Sequence, residues 1–168
     1  LDPNAPNYDL QVNSYAKGTA SGVNPDSGDT YVAGEFKGLV NFGYVVGEEN
    51  STPIDNTSSN NVTSNYNPPA ATGLNGFYNT SNYIQKVNKD LTPAWVYTVN
   101  QLTDNKYADD FLEFSQIEVD GSTGDVYASG IFQGEYDFDP NGSGQIIDVN
   151  KNRAFLMKLD NAGNFQWV

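Results

Sequence analysis

The residues whose types and spacing could do chemistry are acidic. Asp137-Phe138-Asp139-Pro140-Asn141-Gly142, followed by Asp148, runs D-x-D-x-N-G-x5-D, one residue type away from a calcium loop that ends in Glu. Oxygen ligands at alternate positions, with a Gly to permit a sharp turn, are what a hard cation needs. Calcium is therefore the candidate ion, and Asp137, Asp139, Asn141 and Asp148 are its candidate ligands. Two features count against it: Asp is shorter than the usual bidentate Glu, and no helix signal flanks the loop. The competing reading is a turn in which Asp137 and Asp139 accept backbone amides as Asx-turns do.

Other chemistry is thinly represented. The chain has no His and no Cys, which removes the commonest general base, the commonest transition-metal ligand, disulfides, and every Ser-His or Cys-His nucleophile. Asp104, Asp109 and Asp110 form a second acidic group whose only basic neighbour is Lys106; the spacing reads as a solvated loop. Paired carboxylates can hydrolyse glycosides, but no motif singles out one pair. Trp95, Trp167 and the tyrosines could stack on sugars, yet the two Trp fall at equivalent places in a repeat, which favours a shared packing role. Catalytic and cofactor-binding residues are accordingly expected to be none, calcium apart.

Charge narrows the partners. Eight Lys plus Arg against 21 Asp plus Glu give a net charge of −13, which repels nucleic acid and anionic lipid surfaces. The apolar runs are only a few residues long, so no direct membrane insertion by a helix is expected.

The elements that must position these residues are written twice. Gly28, Asp29, Tyr31, Gly34, Phe36, Gly38 and Phe42 recur 96 residues later as Gly124, Asp125, Tyr127, Gly130, Phe132, Gly134 and Phe138. Seven identities in sixteen positions compare with about one expected by chance. Lys86, Val87 and Trp95 recur at the shorter offset of 72 as Lys158, Leu159 and Trp167, so the first copy holds an insertion. It reads as a long surface loop over 43–82, rich in Asn, Ser, Thr and Pro. Five N-x-S/T sequons, at Asn50, Asn56, Asn61, Asn79 and Asn141, lie mostly in or beside it; in a bacterial protein they carry no meaning.

Alternating apolar residues between turn signals predict strands over 15–23, 29–36, 83–87 and 95–99 in the first copy, and over 111–119, 125–132, 154–159 and 165–168 in the second. No helical periodicity competes. Phe155, Met157 and Leu159 point to one face of their strand and Ala154 and Leu156 to the other, and a sheet apolar on both faces must be covered on both. Four-stranded units stacked face to face satisfy this as blades of a β-propeller do, and the phrase recurs because each unit presents the same surface to its neighbour. Gly34 and Gly130, inside strands, predict a close approach by backbone or by an aromatic of the next unit.

The succession GDVYASGIFQGEYDFDP then AFLMKLDNAGNFQW resembles the bacterial β-propeller repeat often called the SBBP repeat, D-x-x-G-N-x-Y-V-x-G-x-F-x-G-x-x-D-F-D-P followed by F-V-x-K-x-D-x-x-G-N-x-x-W. Both copies resemble it, the second more closely; the first has Asn41-Phe42-Gly43 for D-F-D-P and Asn88-Lys89-Asp90-Leu91-Thr92-Pro93 at the later turn. The resemblance implies propeller blades of extracellular or bacterial surface proteins, including outer-membrane-associated ones, and no catalytic residues.

The expectation is an all-β chain with a lead-in over 1–14, a first four-stranded antiparallel blade over 15–100 with its inserted loop, and a second over 101–168 whose last strand is short. Both would belong to a larger β-propeller completed by other blades of the same or another chain, and the ends, Leu1-Asp2 and Trp167-Val168, read as those of a piece of something longer. The expected role is a non-enzymatic structural or protein/glycan interaction module at the cell surface. Rival readings are a carbohydrate-active propeller using paired carboxylates, and an architectural subunit of a surface filament or export complex.

Overall fold

The computed structural model describes residues 15–37, 39–42, 61–63, 66–67, 77–78, 80–102 and 110–168. Its elements are β1 (Tyr15–Val23), β2 (Thr30–Lys37), β3 (Leu39–Asn41), β4 (Asn61–Thr63), β5 (Tyr66–Asn67), β6 (Phe77–Tyr78), β7 (Ser81–Val87), β8 (Pro93–Gln101), β9 (Phe111–Val119), β10 (Val126–Asp137), β11 (Ile146–Leu159) and β12 (Phe165–Trp167). Every pairing is antiparallel, and no helix occurs among the described residues.

Two meanders carry the architecture. β1, β2, β7 and β8 pair in that order, as do β9, β10, β11 and β12, and the registers agree residue for residue. Tyr31 faces Lys86, which faces Trp95; Tyr127 faces Lys158, which faces Trp167. The register slips at the same places too, past Thr19 in β1 and past Ser115 in β9. The repeated phrase thus specifies one backbone twice.

Local chemistry explains the shared turn before β2 and β10. The carboxamide of Asn24 accepts the amides of Asp26 and Ser27 at 2.8 and 3.0 Å, and the carboxylate of Asp120 accepts those of Ser122 and Thr123 at 2.8 and 3.1 Å. Gly28 and Gly124 close these turns at φ of 80° and 75°, where a side chain is strained.

Gly34 and Gly130 serve the register slip. A Cβ on Gly34 would lie 1.8 Å from the carbonyl oxygen of Lys17, and one on Gly130 would lie 2.0 Å from that of Glu113. The expected close approach is therefore present, but the crowding backbone belongs to the bulged strand of the same meander, and the aromatic beside Gly130, Phe155, lies on the adjacent strand of that meander as well.

The second meander is longer than its sequence signals indicated. β10 continues past Gly134 to Asp137, and β11 starts at Ile146. Tyr136 and Asp137 of this extension pair with Gln101 and Asn100 of β8, which joins both meanders into one open eight-stranded sheet. The described part of the insertion is not unbroken loop, because β3 pairs with β4 and β5 pairs with β6.

Each meander has two distinct faces. The lysine face of the first presents Tyr31, Ile84, Lys86, Trp95, Tyr97 and Val99. The phenylalanine face of the second presents Phe114, Phe132, Phe138, Phe155 and Met157, and these two faces share one core. Phe132, Phe138 and Phe155 form a triad with centroids 5.3 to 5.9 Å apart. Phe36, Phe42 and Tyr83 form the matching triad on the outward face of the first meander, at 4.6 to 6.2 Å, and constitute a separate small core.

Gly130→Ala should lower the unfolding free energy by at least about 2 kcal/mol in urea denaturation, because the bulged β9 backbone has to move. An unchanged midpoint would mean that the slip past Ser115 is not held by that contact.

Candidate functional site

The acidic hairpin end is closed by its own amides. Asp137 Oδ1 accepts the amides of Asp139 and Gln145, each at 2.9 Å, and Asp139 Oδ2 accepts that of Ser143 at 3.1 Å. These are the Asx-type contacts of the competing reading. Asn141 is exposed in the turn, and Asp148 stands on β11 opposite Glu135, two register positions from the Asp137 pair. Among the described residues no three acidic side chains are gathered where they could hold a metal ion. Of the second acidic group, Asp110 contacts the Gly134 region and its charge helps raise the Tyr136 hydroxyl pKa, chiefly raised by burial; Asp104 and Asp109 lie outside the described residues, as do the sequons' Asn50, Asn56 and Asn79.

The most organised constellation of polar and aromatic side chains lies on the lysine faces, and it occurs twice. In the first meander Lys86 Nζ sits 3.2 Å from Asp29 and 5.7 Å from the Tyr31 ring centre, and Trp95 meets Tyr31 edge-on at 5.9 Å. In the second, Lys158 Nζ sits 2.6 Å from Asp125 and 5.4 Å from the Tyr127 ring centre, with Trp167 at 6.3 Å from Tyr127. Strand pairing sets both, since Tyr, Lys and Trp occupy one cross-strand row.

The two clusters differ in their cover. The turn Asp160-Asn161-Ala162-Gly163 of the second meander lies on the first cluster: Lys86 donates to Asn161 Oδ1 at 2.7 Å, and Trp95 Nε1 donates to the Asn161 carbonyl at 3.1 Å. Gly163 lets the indole approach, for a Cβ there would lie 2.8 Å from the Trp95 ring. Nearby, Asn82 donates to the Leu112 carbonyl at 2.8 Å, and the Tyr97 hydroxyl donates to the Phe138 carbonyl. Burial first, then the charges of Asp139 and Asp137, raises the Tyr97 pKa far above its usual value and keeps it a donor.

Among the described residues nothing comparable lies on the second cluster. Tyr31 and Ile84 are fully buried, whereas Leu156, the counterpart of Ile84, is 50% exposed and Trp167 is 43% exposed. Ile131 extends this apolar surface along β10.

Electrostatics follow the same division. Burial works to raise the pKa of Asp29, but hydrogen bonds from Ser27, Lys86 and the Lys89 amide outweigh it and hold the carboxyl below its ordinary range. The hydrogen bond with Asp125 raises the Lys158 pKa. Asp160, which shapes the covering turn, is lowered by hydrogen bonds from the Asn164 side chain and amide.

On the outward phenylalanine face of the first meander a groove of 340 Å³ is lined by Val40, Phe42, Tyr83, Gln85, Leu91 and Pro93 among others. Within it the Gln85 carboxamide donates to the Phe42 carbonyl at 2.5 Å.

Asp29, Tyr31, Lys86 and Trp95 were each visible as repeated letters, yet their union in one cluster was not. The missed signal was the register: a row of equivalent residues on adjacent strands must touch. Asn161 had no counterpart letter to mark it.

No protein-family model matches this chain, no curated protein matches it, and no solved structure matches it.

The unequal cover predicts unequal mutational effects at equivalent positions. Lys86→Met should cost about 1–3 kcal/mol by chemical denaturation, since it removes a buried lysine that bonds both half-buried Asp29 and Asn161, whereas Lys158→Met, which breaks a more exposed pair with Asp125, should cost less. Equal losses would contradict the difference in cover.

Proposed function

We propose that this chain is a pair of β-propeller-type repeat units serving as a non-enzymatic structural or protein/glycan interaction scaffold in an extracellular or cell-surface assembly. The observation that carries the reading is the recurrence of one Asp–Tyr–Lys–Trp cluster in one register on both units, covered by the neighbouring unit in one case and uncovered in the other. A repeat that buries its face only against the next repeat is a stacking element, and its side chains are spent on packing rather than on reacting groups. Both copies' likeness to the SBBP pattern supports the surface setting, and the excess of acidic residues supports a partner other than nucleic acid.

Recognition is assigned to the parts that depart from the repeat, because loops on a rigid scaffold are where binding usually resides. These are the insertion in the first copy and the acidic hairpin end near Asp137 and Asp139. The second copy supplies a matched replacement: residues 139–152 grafted in place of 43–80 join the same strands in the same register. The graft should unfold within about 1 kcal/mol of the parent, since loop length alone changes stability slowly, and, in a screen of surface glycans and surface proteins, should lose the saturable binding that the insertion makes while keeping any made by the acidic hairpin end. A parent chain with no saturable ligand would remove the interaction part of the proposal, and a graft that binds every ligand as well as the parent would remove the insertion from it.

A further inference from the structure

The exposed lysine face of the second meander has an internal precedent for its occupant. On the first meander the same face is covered by a turn with three requirements: a side-chain oxygen for the lysine, a backbone carbonyl for the indole N–H, and a residue without a side chain where the indole lies flat. Asn161 meets the first two and Gly163 the third. The left-handed backbone at Gly163, φ 83°, aims the turn.

From this we infer that Asp125, Tyr127, Leu156, Lys158 and Trp167 form a docking surface for a further repeat unit that carries an Asn-x-Gly turn, seated as the second meander is seated on the first. The inference rests on the stacking-repeat reading given above and adds what the face selects. A second copy of this chain is a poor occupant. Its outward phenylalanine face belongs to the first meander, where Phe36, Phe42 and Tyr83 are already buried in their own small core and the corresponding turn is Asn88-Lys89-Asp90-Leu91. Lys89 stands at the position of Asn161 and would bring an ammonium to Lys158. Leu91 stands at the position of Gly163 with the same left-handed backbone, φ 68°, and its exposed side chain would occupy the space the Trp167 ring requires. The two outer faces of the chain therefore match in strand pattern and conflict at the turn, which disfavours the head-to-tail filament that heterologous faces otherwise permit.

The test extends the full chain by one repeat. Because Trp167 corresponds to Trp95, a copy of residues 97–168 joined directly after Val168 keeps the natural spacing. Hydrogen exchange at the indole N–H of Trp167, read by NMR, should slow at least about tenfold relative to the unextended chain and approach that of Trp95. With Asn161→Lys and Gly163→Leu made in the appended copy, the rate should return to the unextended value. Trp167 exchanging at the unextended rate in the first chain would overturn the inference, and so would equal protection in both extended chains. Protection of Trp167 that rises with concentration in the unextended chain would name a second copy as the occupant and overturn the turn requirement. Trp95 separates the levels of failure: if it stays protected while Trp167 does not, the inference alone fails, whereas an unprotected Trp95 removes the stacking reading beneath it.

Discussion

A four-stranded sheet with two apolar faces cannot stand alone in water, and everything else in this molecule follows from how that constraint is met. The first unit buries its lysine face on the phenylalanine face of the second, so that Tyr31, Ile84, Tyr97 and Val99 share a core with Phe114, Phe132, Phe155 and Met157. At roughly 25 cal/mol per Å² of apolar area removed from water, such a junction outweighs any single polar contact within it. The polar contacts decide geometry instead. Asn161 on Lys86 and Trp95, Asn82 on Leu112, and Tyr97 on Phe138 each satisfy a donor that burial would otherwise leave costly, and together they define one seating of the two units.

This division of labour accounts for the pattern of what the two copies share. Shared residues are those that make the strand register, the turn and the stacking row: the glycines at 28 and 124 and at 34 and 130, and the Asp, Tyr, Lys and Trp of the cluster. Unshared residues lie where each unit meets something different. Lys89 and Leu91 against Asn161 and Gly163 are the sharpest case, because the same backbone carries side chains that favour docking in one copy and oppose it in the other.

Much of this was legible beforehand. Strands 15–23 and 111–119 coincide with β1 and β9, and the others differ by one or two residues at their ends, except that β10 runs five residues further and β11 begins eight residues earlier than expected. Periodicity fixes an element's existence better than its length, which explains the misjudged hairpin. Gly134 reads as a strand end, yet it sits in a bulge at φ 122° beyond which β10 resumes and reaches β8. The close approach at Gly34 and Gly130 was legible and its source was not, since a bulge in the neighbouring strand leaves no letter of its own. The short ladders within the insertion escaped for a similar reason: strands of two or three residues are too brief to establish a period. The acidic hairpin end displayed its ligand-like spacing plainly, and only coordinates could show that its carboxylates accept amides at Asp139, Gln145 and Ser143 and that Asp148 lies two positions away.

The seating of one unit on the other is best tested where β1 meets β9. A Cβ on Gly22 would lie 3.3 Å from the Cβ of Ile117 and 2.9 Å from its carbonyl oxygen across the junction, so a shift of a few tenths of an ångström brings the pair to the separation of about 3.5–4.5 Å that a disulfide spans, and the chain has no cysteine of its own to interfere. With Gly22→Cys and Ile117→Cys introduced together, the folded protein should form the intramolecular disulfide in nearly full yield on mild oxidation and unfold at higher denaturant when oxidised than when reduced. A folded double variant whose two thiols stay free under the same oxidation would contradict the face-to-face arrangement.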